Sequence, residues 1–200
     1  MLARNYMEEA EKAIPALLGQ IEPIKKAVDI IVRAVTNGKQ VFVTDRYGVV
    51  DAEIAEKPGN LALFRSLSHS GEKLAAGDIL ILSSFLPDEE KDLTIVSGAR
   101  SLGASVITVS PEGKLSGSAD VAVLDQGAGM NGVVTAPGGD RSFGPLSGIL
   151  HVLLLNMIQA QTAEQLIASG KKPTVLPGEY LAGGAGKRIK AMQTFFDRGY

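Results

Sequence analysis

Apolar residues near the N-terminus recur at steps of three and four. Ile14, Leu17, Ile21, Ile24, Val28, Ile31 and Val35 fall on one stripe, which is the period of an amphipathic helix. The stripe predicts helix over 5–36, interrupted near Pro15 and Pro23, because proline lacks a backbone donor and clashes with the preceding turn. Asn37-Gly38 is the stop. A stripe of this length exceeds what a small sheet can cover, so part of it is expected to pack on a second copy of the chain.

After Gly38 the period changes to short, unbroken apolar runs: Val41–Thr44, Leu61–Phe64, Ile79–Leu82, Val106–Val109 and Val121–Leu124. Continuous rather than alternating runs are expected of parallel strands covered on both faces. A short helix is predicted over Val49–Glu56, ending at Pro58-Gly59. A second, between two of the strands, carries Leu93, Val96, Ala99 and Leu102 on its inner face. From Gln126 to Gly148 periodicity lapses into a loop with glycines at 127, 129, 132, 138, 139, 144 and 148. One short strand, Gly132–Thr135, is expected inside it, and structured loops of this length are often functional. A buried helix from about Leu146 to Ala168 follows, then a Gly183-Gly184-Ala185-Gly186 break and a last helix over Lys187–Asp197. The pattern predicts an α/β fold, a three-layer α/β/α sandwich on a mostly parallel five-stranded sheet. One domain spans 1–200, with 1–38 as a helical arm, 39–170 as the core and 171–200 as a C-terminal tail and helix.

Composition narrows the chemistry. The chain has no cysteine, which excludes disulfides, thiolate metal sites and a cysteine nucleophile. The net charge of -2 comes with no basic stripe, so nucleic acid is not an expected partner. No apolar run is long enough to span a bilayer, and the acids at Glu8 and Glu9 break any signal peptide; a cytoplasmic protein with no membrane partner is expected.

Ligands of open α/β sheets sit at the carboxyl ends of strands, and Ser83-Ser84 closes the Ile79–Leu82 strand. The following Phe85-Leu86-Pro87-Asp88-Glu89-Glu90 is poorly suited to an anion. Pro87 removes a donor and suits the first helical position, and the acids stabilise a helix start while repelling phosphate. Arg46 has the geometry for a bidentate contact with phosphate or carboxylate, or for pairing with Asp45 or Asp51. His69 is read either as a general acid/base or as an exposed loop histidine; His151, inside an apolar helix, as a satisfied buried or interface residue. The two histidines lack the His-Glu-x-x-His spacing of a metal site, and no Gly-x-Ser-x-Gly elbow marks a hydrolase. Gly183-Gly184-Ala185-Gly186-Lys187 lacks the spacing of a nucleotide loop, and Arg188 stands where Ser or Thr is needed.

Strand, Ser83-Ser84, helix, Gly103-Ala-Ser-Val-Ile-Thr-Val109, then Ser118-Ala-Asp-Val-Ala-Val123 resembles the sugar isomerase (SIS) domain family. Glu53-Ile-Ala-Glu-Lys-Pro-Gly59, Gly138-Gly139, and Phe143-Gly-Pro-Leu-Ser147 opening a helix with Asn156 are similar to its phosphoheptose-isomerase-like branch. So are Gly170-Lys-Lys-Pro-Thr-Val175 and the ending Phe196-Asp-Arg198. The resemblance implies a parallel five-stranded sheet between helices and a phosphosugar ligand; no cofactor and no metal are expected. It also implies a site at Glu53, where aldose–ketose isomerisation would use a carboxylate base; the residues alone also read Glu53 as a solvated helix carboxylate. Both phosphate loops depart from the family pattern. Thr44-Asp45-Arg46-Tyr47-Gly48 replaces Gly-x-Gly-Ser, and only Ser84 survives of Ser-x-Ser-Gly-x-Thr. The leading expectation is a phosphosugar or carbohydrate-derivative binder with weakened or lost catalysis. Arg46, Tyr47, Ser83, Ser84 and Ser147 would line its cleft and the Gly138–Gly144 loop would close over it. The alternatives are a phosphosugar isomerase using Glu53, with His69 as a further candidate, and a structural or regulatory oligomer with no small ligand. A homo-oligomer, dimer or tetramer, is expected.

Overall fold

The computed structural model describes residues 1–126, 131–180 and 182–200, with the side chain of Asp51 excepted. Glycines 127 and 129 of the long loop lie outside the described residues. The N-terminal arm is two helices, α1 (Leu2–Ala16) and α2 (Ile21–Thr36), joined by a 3-10 turn at Leu17–Gln20. The interruption expected near the prolines falls between them. Pro15 lies in the last turn of α1, and Pro23 sits in the first turn of α2, where a backbone donor has no helical acceptor. The stripe is buried at Leu17, Ile24, Val28, Ile31 and Val35, but Ile14 and Ile21 are 43% and 38% exposed. Gln20 is buried, and its Oε1 accepts a hydrogen bond of 2.8 Å from the Leu124 amide.

Five strands form one parallel sheet in the order β2-β1-β3-β4-β5: β1 (Val41–Asp45), β2 (Phe64–Ser66), β3 (Ile79–Ser83), β4 (Ser105–Ser110) and β5 (Val121–Leu124). Helix α3 (Val49–Ala55) follows β1, α4 (Glu90–Ser101) follows β3, and α5 (Lys114–Ser118) follows β4. The long helix α6 (Ser147–Ala168) and the last, α7 (Gly184–Arg198), complete the chain. Side chains alternate across the strands and fill two cores. Val41, Val43, Ile79, Ile81, Ile107, Val109 and Val123 pack with α2, α3 and α6. Phe42, Leu80, Leu82 and Val106 pack with Val96 and Ala99 of α4 and Leu115 of α5. At about 25 cal/mol per Å² of apolar surface, burial on both faces is the main source of the sheet's stability. This is the expected α/β/α sandwich.

Several details differ from expectation. β2 starts at Phe64, not Leu61, because the preceding backbone is engaged elsewhere. Ala62 N–H donates to Thr174 O (2.9 Å), Leu176 N–H to Asn60 O (2.8 Å), and Leu61 N–H to Gln159 Oε1 (2.9 Å). Leu61 and Val175 form an isolated antiparallel bridge. The strand expected at Gly132–Thr135 shortens to β6 (Val134–Thr135), paired with β7 (Ser142–Phe143). Gly132 lies against the Phe143 backbone so closely that a Cβ would come within 2.1 Å of its nitrogen. At the end of α4, Leu102 is 54% exposed and not on the inner face; Val96 and Ala99 are buried there as expected, Leu93 is half-buried against the same core, and Asp92 is buried beside them. Among the described residues, no helix is long and apolar enough to cross a membrane.

Candidate functional site

β1 and β3 lie side by side with Asp45 opposite Ser83, while β2 lies on the other side of β1. Strand order therefore reverses between β1 and β3, and a crevice opens beyond their carboxyl ends, where open α/β sheets take their ligands. After β1 the chain turns through Arg46, Tyr47 and Gly48, with the Gly48 amide donating to Asp45 O at 3.3 Å. Gly48 has φ +67° and is the residue before α3, a backbone shape that glycine adopts without steric cost. After β3 the chain runs through Ser84, Phe85 and Leu86 to α4.

The polar groups around this crevice are bound by the chain itself. Ser84 Oγ donates to Asp92 Oδ2 at 2.5 Å and accepts from the Leu86 amide at 3.3 Å. Arg46 Nη2 lies 2.5 Å from Glu89 Oε1 and 3.7 Å from Asp92 Oδ1. The hydrogen bond to Glu89 raises the Arg46 guanidinium above its ordinary value, and the same bond lowers the Glu89 carboxyl below its own. Asp92 is buried, and its Oδ1 has no hydrogen-bond partner among the described residues. Ser83 Oγ is 2.8 Å from His151 Nδ1, and His151 Nε2 is 3.0 Å from Asp125 Oδ2. A carboxylate only accepts, so in the neutral ring Nε2 carries the proton and Nδ1 accepts from Ser83. The ring of Phe85 packs 4.8 Å from that of His151 and 6.2 Å from that of Tyr47.

Two voids adjoin here. A hollow of about 10 Å³ is lined by Arg46, Tyr47, Ser83, Ser84, Phe85 and Asp92, among others; it has room for one water at most. A cleft of about 560 Å³ is lined by Tyr47, Glu53, Phe85, Ser147, Val49 and Val152, among others. Tyr47 and Phe85 form the wall between them. Of the residues singled out in the sequence, Arg46, Tyr47, Ser83 and Ser84 thus surround the hollow, and Tyr47, Glu53 and Ser147 surround the cleft. Glu53 also pairs with Lys57 one helical turn on. His69 stands apart, exposed, 2.8 Å from Glu56 Oε1 beside a separate void of about 150 Å³. Residues 138–144 do not line the cleft; among the described residues of the loop, Pro145, Ser147 and Gly148 do.

The start of α4 also corrects the sequence reading. The helix begins at Glu90 with Glu89 as its N-cap, so Pro87 precedes the cap and is not the first helical residue. Pro87 O instead accepts from the Leu115 amide (2.9 Å) and Asp88 Oδ1 from the Lys114 amide (2.8 Å). Sequence reasoning misses Asp92, Glu89 and Asp125 as site residues. For Asp92 the readable signal is an acid spaced with Val96 and Ala99 on an inward helical face. Ser83, His151 and Asp125 make a serine–histidine–carboxylate chain, but its members are 2%, 0% and 1% exposed and the hollow beside Ser83 admits nothing larger than water. No substrate carbonyl reaches Ser83, and the chain of bonds ties β3, β5 and α6 together.

No protein-family model matches the chain, and no curated protein matches it in sequence. Solved structures match it in fold. A phosphoheptose isomerase from Francisella tularensis is 17% identical, with a TM-score of 0.58 over 81% of this chain and 96% of that one. The sugar isomerase domain of an RpiR transcription factor from Sphaerobacter thermophilus is 16% identical, with a TM-score of 0.58 over 98% of each chain. The Vibrio vulnificus NanR protein complexed with ManNAc-6P is 11% identical, with a TM-score of 0.54 over 96% of this chain and 67% of that one. Strand order, the crevice at its reversal and these likenesses together give the chain the fold of the sugar isomerase domains.

Proposed function

We propose that the chain is a SIS-like protein that binds a phosphosugar or another carbohydrate derivative at the crevice between β1 and β3, with isomerase catalysis weakened or lost. The observation that carries this reading is the gathering of Arg46, Tyr47, Glu53, Ser83, Ser84 and Ser147 around two adjoining voids. The larger, at about 560 Å³, is within the usual range of small-molecule pockets, about 300–1,000 Å³. ManNAc-6P bound by a protein of the same fold supports the ligand class. Weakened catalysis is supported by the altered loops and by the engagement of Glu53 with Lys57.

A thermal-shift panel of sugar phosphates and unphosphorylated sugar derivatives at millimolar concentration tests the binding claim. At least one compound is expected to raise the melting temperature, and Ser147→Ala or Tyr47→Ala to diminish the rise. An isomerase would reveal itself as turnover of an aldose phosphate that Glu53→Gln abolishes; we expect no turnover in either protein. A second reading, a structural or regulatory oligomer without a small ligand, is favoured by the small size of the hollow at the strand ends and by Glu89 and Asp92 already engaging its cation, Arg46. A panel without any stabilising compound would decide for that second reading.

A further inference from the structure

The crevice beyond β1 and β3 contains what an anion site requires and also two carboxylates: Asp92 lines its hollow, and Glu89 pairs with the Arg46 that lines it. A cationic side chain, two hydroxyls and the N-terminal end of α4 meet at one strand-end crevice, the combination that attracts anions. Each is already engaged. Arg46 is bound by Glu89 and faces Asp92. The Ser84 hydroxyl is committed to Asp92 and the Ser83 hydroxyl to His151. The first turn of α4 carries Glu90 and Asp92, with the Glu89 side chain accepting from the Lys91 amide at 3.4 Å.

The two carboxylates differ in how firmly they are held. Asp92 is fixed: its side chain is 5% exposed and bonded to Ser84. The Arg46 and Glu89 side chains are 28% and 23% exposed, and both sit on loops at the mouth of the crevice. Asp92 Oδ1, buried beside the hollow without a hydrogen bond among the described residues, depends on Arg46 at 3.7 Å for its compensation.

We propose that Glu89 is a built-in occupant of the anion site, a latch that holds Arg46 across the crevice so that an external anion binds only by displacing it. The inference rests on the reading of this crevice as a ligand site and adds how that site is regulated. Binding of a phosphate group would then be an exchange of one carboxylate for another anion on Arg46, with Glu89 released to solvent. Without Glu89, the Arg46 Nη2 donor is released and the crevice loses one negative charge.

The test uses the full chain and inorganic phosphate as probe, followed by thermal shift and calorimetric titration at low ionic strength. Glu89→Gln removes the charge with little change of shape. Glu89→Ser keeps a hydroxyl N-cap for α4, so the fold is guarded independently. Both are expected to bind phosphate at least about tenfold more tightly than the unaltered protein, a difference of about 1.4 kcal/mol. Adding Arg46→Ala to either should abolish the gain. Equal phosphate affinity in the unaltered and Glu89-substituted proteins overturns the latch, and so does a gain that survives Arg46→Ala. The two readings fail separately. If sugar phosphates bind the unaltered protein as tightly as the Glu89 variants, the ligand site stands and the latch falls. If the variants gain phosphate binding but no sugar derivative binds any of the proteins, the latch stands and the carbohydrate reading falls.

Discussion

Ser83 and Ser84 are neighbours in sequence and opposites in role. Ser83 is the last residue of β3 and joins His151 and Asp125 in a sealed polar chain; Ser84 ties the next loop to Asp92. The pair is legible as a strand-end feature because two hydroxyl residues terminate an aliphatic run. Their partners are not, because Asp92, Asp125 and His151 reach them through contacts 8 to 68 positions away along the chain, which no local pattern encodes. Full burial of His151 between two polar partners agrees with its reading as a satisfied histidine. Replacing it by leucine would keep the volume but remove the ring's hydrogen bonds to Ser83 and Asp125. Loss of a partner from a buried polar pair costs about 3 kcal/mol or more. His151→Leu is therefore expected to lower the stability read from urea denaturation by about that much; a change under about 1 kcal/mol would mean that the polar chain contributes little to folding.

At the scale of elements, the strands are the most readable part. Four of the five fall on unbroken apolar runs that take their places in the parallel sheet, while β2, Phe64–Ser66, shares only Phe64 with the fifth run. Boundaries shift wherever backbone groups find partners outside their own element. Leu61 and Ala62 bond to Gln159 and to 174–176 instead of extending β2, and α4 starts three residues beyond Pro87 because Pro87 and Asp88 are drawn to α5. The turn from β1 into α3 is the element that sets the direction of Arg46 and Tyr47, and it rests on the left-handed conformation of Gly48. An alanine there costs about 1–2 kcal/mol, because its Cβ crowds the neighbouring carbonyl. Gly48→Ala is expected to lower stability by that amount in chemical denaturation. Gly48→Asn, a residue that tolerates the left-handed region, should recover part of it. Equal stability of glycine and alanine would show that the turn relaxes to another backbone shape.

For the whole molecule, the sandwich and its helical arms agree with the sequence pattern, and the SIS-like topology agrees with the order of loose motifs along the chain. What the chain does as an assembly rests on a physical imbalance. The lower part of the N-terminal stripe is buried under the sheet, while Ile14, Leu18 and Ile21 are 43%, 65% and 38% exposed, spaced by four and three residues on adjoining turns. Apolar side chains that the fold leaves uncovered are candidates for contact with another copy. We propose a homo-oligomer, a dimer or tetramer, built on this arm, with residues 1–200 folding as one domain. Sedimentation velocity is expected to show a species of at least twice the monomer mass, and Leu18→Glu to shift it to monomer with the circular dichroism spectrum unchanged. A monomeric unaltered chain at tens of micromolar would refute the assembly. The extent of the stripe is visible in the sequence; which half of it the sheet covers depends on the break at Leu17–Gln20, which places α1 and α2 in different surroundings.

The Gln20 side chain and the Thr174–Leu176 segment have a consequence at the two margins of the sheet. Among the described residues, β5, which holds Leu124, pairs with β4 alone, and β2, which Leu61 precedes, pairs with β1 alone. Strand margins with free backbone groups are templates for pairing with other chains, the starting point of aggregation. Gln20 takes the Leu124 donor on one side, and the 174–176 backbone takes groups of 60–62 on the other. The N-terminal arm and the C-terminal tail thereby occupy backbone groups at one edge strand and just before the other, groups that would otherwise be open to pairing with a neighbouring chain.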